Sequence, residues 1–213
     1  MEELIETHEE YRARDGVNWS RLKLARTSAL HYRDTPPRKD SASLGMLRAV
    51  HALVLENHHF KRDFAVWTSD KPRRGKVYDA FVAANAHRTI LNQREFQRAS
   101  EISRAVIHWP GRVEIVGNEF SWTSWSDWWE TEVSLYWTDE ATGLSCKGRA
   151  DMLAVISDED SKEWAEVADL KTVKSIDPRA LTREIASMGY HAQIEHYAAG
   201  VEAVRGVPVE RVG

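Results

Sequence analysis

Two hydrophobic periods run along this chain, and one replaces the other near residue 112. Before that point the apolar positions recur every three to four residues, as on one side of a helix. Leu22, Ala25 and Leu30 give the buried side of a helix that Asn18 or Ser20 caps and that runs to about Tyr32, until Pro36 and Pro37 end it. A second helix, roughly residues 43–56, carries Leu44, Leu47, His51 and Leu55 at helical spacing, so a histidine lies on its apolar stripe. Residues 64–67 read as a short strand and 71–76 as a basic loop. A helix follows from about Val77, and another opens at Asn92, whose Glu95 three residues on makes a capping box; Pro110 and Gly111 stop it.

After residue 112 the period falls to two. Val133, Leu135 and Trp137 alternate with Glu132, Ser134 and Tyr136, residues 139–143 supply a turn, and residues 144–156 resume as an extended run. That is a hairpin. A charged turn over 157–162 leads to a third strand predicted for 163–173. Asp177 before Pro178 is an N-cap with proline at the first helical position, Gly189 suits a C-terminal cap, and a last helix runs from Tyr190 to about Val204. Helices followed by a hairpin-rich sheet and more helices predict one α/β domain over 1–213, with a helical region at about 18–110 and the sheet with its C-terminal helices at about 113–213.

Composition narrows the chemistry. With 42% apolar and 29% charged residues among 213, the chain buries a real core, which excludes a disordered or fibrous protein. No stretch approaches the roughly 18 to 20 apolar residues of a bilayer span, and the acidic start is unlike a signal peptide, so a cytoplasmic protein with no membrane partner is expected. The single cysteine, Cys146, excludes an internal disulfide and a four-thiolate cluster. Any metal would be held by oxygen and histidine. The net charge of −4 is uneven: residues 61–112 hold eleven Lys and Arg against five Asp and Glu, a local +6 that leaves −10 for the rest. Either a solvated helical face or a track for a phosphate backbone fits that patch.

The candidate chemistry lies in Gly148-Arg149-Ala150-Asp151 and, one hairpin later, Asp169-Leu170-Lys171. On an extended strand Asp169 and Lys171 project together, and antiparallel pairing brings Asp151 beside them. Two adjacent carboxylates repel unless a cation lies between them, and hard oxygen ligands suit Mg²⁺ or Mn²⁺. A neighbouring lysine orients a metal-bound water and offsets charge on a phosphorane-like transition state. Glu166, three residues from Asp169, faces the other way in regular extended geometry and reads as structural. Lys147 and Arg149 share the parity of Asp151 and either contact phosphate or offset the carboxylates. Gln193 and Tyr197 share a helix face with Tyr190, which suits either packing or support of the site. Nine tryptophans, five of them between 122 and 137, suit core packing, an oligomer interface or stacking on unpaired DNA ends.

Taken with Asn18-Trp-Ser-Arg-Leu-Lys, residues 44–56 around His51, and Tyr190-His-Ala-Gln193-Ile-Glu-His-Tyr197, these segments resemble the PD-(D/E)XK nuclease superfamily, most closely its RecE-type exonuclease branch of phages and prophages. The resemblance covers most of the chain. It implies a restriction-endonuclease-like core, a central mixed β-sheet flanked by helices. It also implies catalytic Asp151, Asp169 and Lys171, a Mg²⁺ or Mn²⁺ site of His51, Asp151, Asp169 and the Leu170 carbonyl, and support from Gln193 and Tyr197. The activity implied is exonucleolytic digestion of linear double-stranded DNA from the 5′ end by a ring-like homo-oligomer, which leaves a 3′ strand for a single-strand annealing protein. Relatives usually extend further beyond the last helix, so a C-terminally shortened chain is expected. A catalytically silent DNA-end or protein-binding module of the same fold is the alternative, and a Trp-rich carbohydrate-binding protein is a third reading.

Overall fold

The computed structural model describes residues 1–4, 6–36, 42–108, 113–115, 118–120, 129–173 and 175–212. In chain order the elements are β1 (Glu2–Leu4), α1 (His8–Ala13), α2 (Trp19–Ala25), α3 (Ala29–Asp34), α4 (Ala42–Leu55), α5 (Phe60–Asp63) and β2 (Phe64–Trp67). There follow α6 (Lys76–Ala84), β3 (Thr89–Asn92), α7 (Gln93–Ile107), β4 (Val113–Ile115), β5 (Asn118–Phe120) and β6 (Glu130–Thr138). The chain continues as β7 (Ser145–Ser157), β8 (Glu163–Ala168), α8 (Pro178–Met188), α9 (Tyr190–Arg205) and β9 (Val209–Val212). These form two compact units: one holds the described residues up to 36 and from 113 onward, the other those between 42 and 108. Residues 18–36 therefore belong with the sheet, not with the helical region in which the sequence pattern groups them.

The first unit is built on a five-stranded sheet in the order β1-β6-β7-β8-β9, antiparallel except where β9 runs parallel to β8. The expected mixed sheet with flanking helices is thus present. Alternation in β6 turns Val133, Leu135 and Trp137 inward, where they meet Cys146, Ala150, Leu153, Val167 and the α9 residues Tyr197 and Val201. Each valine or leucine among them, withdrawn from water, contributes about 1.5 to 3 kcal/mol. Close approach of α9 depends on Gly148, because a Cβ there would come within 2.9 Å of Tyr197 Cδ1. The α8–α9 corner turns at Gly189, whose φ of +69° is left-handed and whose absent side chain leaves room for Trp19. Asp177 caps α8 through the Ala180 amide at 3.0 Å, as its sequence predicts.

In the second unit β2 pairs in parallel with β3, and α4 and α7 close over them with Ala49, Val50, Phe60, Phe64, Leu91 and Ala99 buried between. The Asn92–Glu95 capping box is formed at 2.8 and 2.7 Å. No described helix is long and apolar enough to cross a membrane.

Three sequence expectations differ from the structure. The helix predicted over 18–32 is two helices, because Ser28 accepts the His31 amide at 3.2 Å and restarts the chain as a new N-cap. The third strand ends at Ala168 instead of Val173, so Asp169 and Lys171 lie just beyond it. Strands β1, β3, β4, β5 and β9 and helices α1 and α5 have no counterpart among the sequence expectations.

Candidate functional site

Two strand registers meet at one level of the sheet. Thr131 pairs with Met152 and Val133 with Ala150, which leaves Glu132 level with Asp151. On the other side Met152 pairs with Ala168, which sets Asp151 level with Asp169, the first residue past β8. Three carboxylates therefore stand in a row across β6, β7 and the end of β8, on strands spaced about 4.8 Å apart. An oxygen of Glu132 lies within 4.8 Å of one on Asp151.

The backbone departs from regularity at the same level. Glu132 has φ +55°, a left-handed conformation rare for a side chain of this kind in a strand. On β7 the residues facing the core are Cys146 and Ala150 before this point and Leu153 after it. A step of three between Ala150 and Leu153 breaks the period of two, so the strand turns about its axis where Asp151 stands.

Each acid has a fixed partner. The Leu170 amide donates to Asp151 Oδ2 at 2.7 Å. Gln193 Nε2 donates to Asp169 Oδ1 at 3.1 Å and to the Tyr197 hydroxyl at 2.7 Å. The Lys171 ammonium pairs with Asp169 Oδ2 and lies 5.1 Å from the centre of the Tyr190 ring. Arg149 Nε donates to Glu132 Oε2 at 2.5 Å. Asp169 and Lys171 lie beyond the end of β8, yet their side chains form an ion pair.

Electrostatics set this row apart. Burial raises the proton affinity of Asp151 well above the ordinary carboxylate range, and the charges of Asp169 and Glu132 add to it; Lys171 and the Leu170 amide pull in the opposite direction. Burial likewise raises Asp169, against the lowering effect of Lys171. Like charges at short range in a dry site favour either a shared proton or a bound cation. Crowded carboxylate oxygens are the donor set that a hard divalent cation takes, so these residues fit such a cation.

The remaining predicted residues separate by what they touch. Lys147 is 4% exposed, and its ammonium donates to the Tyr11 carbonyl at 2.8 Å and to that of Arg14. Arg149 is also buried and holds Glu132 and the Glu6 carbonyl, the latter at 2.9 Å. Neither faces solvent, so the phosphate-contact reading does not suit them; Arg149 supports the row and Lys147 fastens the N-terminal segment to β7. Tyr197 is a core residue that orients Gln193 and does not reach outward. Tyr190 is half-buried, and burial raises its hydroxyl above the ordinary value. Leu170, predicted to offer its carbonyl, presents its amide to Asp151. His51 lies half-buried in α4 of the second unit. Trp137 packs in the core, whereas Trp122, Trp125 and Trp128 lie outside the described residues.

Beside Asp169 and Lys171 opens a pocket of about 370 Å³, walled by Val173, Leu181, Ile185 and Ile194, with Tyr190 and Gln193 at its rim. Sequence reasoning missed Glu132. The residue was visible as an acid inside an apolar alternation, but its neighbour depends on the register across the 139–143 turn.

A family model for a PDDEXK-like domain of unknown function matches residues 24–212, which is 189 of the 213 positions. No curated protein matches the chain.

Proposed function

Because the chain belongs to this PDDEXK-like family, which has a nuclease-type fold, we propose that it is a metal-dependent nuclease that hydrolyses phosphodiester bonds. The finer reading follows the RecE-type resemblance: an exodeoxyribonuclease that digests linear double-stranded DNA from the 5′ end and leaves a 3′ strand for a single-strand annealing partner, as a homo-oligomeric ring in the cytoplasm. The observation that carries the proposal is the neighbouring pair Asp151 and Asp169, two buried carboxylates with raised proton affinity, beside Lys171.

Asp151 and Asp169 would hold Mg²⁺ or Mn²⁺, joined by the Leu170 carbonyl and by His51, as the sequence resemblance implies. When bound, the cation supplies Lewis acidity toward the phosphate and lowers the pKa of water. Gln193 fixes one oxygen of Asp169, and the Leu170 amide fixes one of Asp151, so the two acids keep a single orientation. Lys171, at the rim of the apolar pocket, positions the attacking water and donates to the charge that gathers on the phosphate oxygens. Water adds to phosphorus and releases a proton to solvent, the bond to the 3′ oxygen breaks, and that oxygen takes a proton from solvent. The basic residues of 61–112 that lie exposed, among them Arg74 and Lys76, supply a track for the DNA backbone.

The test is incubation of linear and closed-circular duplex DNA with Mg²⁺ or EDTA, with wild type beside Lys171→Ala. Loss of linear DNA alone, abolished by chelation and by the substitution, is the expected result. Nicked circles would replace the exonuclease with an endonuclease, and two intact substrates would favour a silent DNA-end-binding module.

A further inference from the structure

Three carboxylates stand in the row, but the sequence resemblance assigns only two of them to the cation. Resting on the metal-dependent reading above, we propose that Glu132 is a third acidic ligand of that divalent cation, and that Arg149 holds its carboxylate in place until the cation binds.

The placement argues first. Oxygens of Glu132 and Asp151 lie within 4.8 Å of each other. Metal–oxygen bonds of about 2.0 to 2.6 Å let two oxygens on one ion lie up to about 5 Å apart, so both acids reach a common cation. The energetics argue next. Like charges directly opposite on neighbouring strands are unfavourable, and a left-handed φ of +55° at a glutamate adds backbone strain. A purely structural partner for Arg149 would need neither. The guanidinium also holds the Glu6 carbonyl at 2.9 Å, and a neutral acceptor in place of Glu132 could still accept from it without setting a third negative charge beside Asp151 and Asp169. A cation turns that repulsion into attraction. Arg149 and Lys171 are each paired with one acid of the row, Glu132 and Asp169.

Titration calorimetry with Mn²⁺ on the DNA-free protein tests the proposal. Wild type binds, Glu132→Gln binds at least about tenfold more weakly, since even outer-sphere partners of a metal cost 10- to 100-fold, and Glu132→Asp recovers part of the loss. Glutamine still accepts from Arg149, so a merely structural Glu132 predicts unchanged affinity, and that result overturns the proposal while leaving the nuclease reading intact. If wild type binds no Mn²⁺, the metal-dependent reading itself falls. Infrared spectra of wild type labelled with ¹³C-glutamate guard against a variant that fails to fold. A glutamate carboxylate band that shifts on addition of Mn²⁺ supports direct ligation; bands that stay fixed while calorimetry shows binding overturn it.

Discussion

Lys147 and Asp151 are both charged residues drawn into the protein on β7, and they are treated in opposite ways. Lys147 meets dipoles that suit it: two backbone carbonyls accept from its ammonium, and the Tyr11 ring lies 4.7 Å away. Asp151 meets charges that oppose it, with Asp169 and Glu132 on either side. One environment closes around its charge. The other sets like charges side by side, offset in part by Lys171 and the Leu170 amide, which is how a candidate binding site differs from a structural anchor. The contrast also separates stability from activity, since proteins give up some of the first to build the second.

The comparison breaks most sharply with Asp151→Asn. Hydrolysis of linear DNA should fall at least about a thousandfold, because several kcal/mol of metal-derived stabilisation is lost. In metal-free buffer the same variant should resist urea better than wild type, by on the order of 1 kcal/mol, since the repulsion within the row is relieved. Lys147→Met should do the reverse. Two carbonyls lose their donor at a cost of about 1 to 3 kcal/mol by urea unfolding, while Mn²⁺ affinity stays at the wild-type value. Gly148→Val lies between the two regions: its side chain meets Tyr197, should cost about 1 to 3 kcal/mol, and should lower activity by displacing Gln193 from Asp169.

The smallest effect concerns pH. His196 packs against Trp137 at 4.8 Å and shares a 3.0 Å hydrogen bond with the Lys147 carbonyl; burial lowers its proton affinity below the ordinary value, more than that bond raises it. Its neutral form is thus favoured in the folded state. The stability it contributes is fully present above about pH 6.5, the ordinary histidine value, and is lost as pH falls below it. Melting curves should show that slope in wild type and a shallower one in His196→Gln.

Much of the arrangement was legible in the sequence because its signals are local. The Asn92–Glu95 box, the Asp177-Pro178 start of α8 and the 139–143 turn are each set by residues that touch within a few positions. The illegible parts are non-local. Strand β3 is four residues long and exists through parallel pairing with β2, and β9 through pairing with β8, so neither has a pattern of its own. Helix α1 is an instructive omission, since Thr7 and Glu10 form a capping box that its acidic setting disguised. At the site, Asp151, Asp169 and Lys171 stand out as charges inside apolar runs. The place of Glu132 in the row appears only once the hairpin register is known.

If the carboxylate row across β6, β7 and the end of β8 is built for a divalent cation, thermal unfolding of wild type and Asp151→Asn with and without Mn²⁺ tests it most directly. Without metal, Asp151→Asn should melt at the higher temperature. Saturating Mn²⁺ should raise wild type above the variant, because a ligand that binds only the folded state stabilises it in proportion to the logarithm of its concentration over Kd. Melting temperatures that do not respond to Mn²⁺ in wild type, or that respond equally in both proteins, would contradict the account.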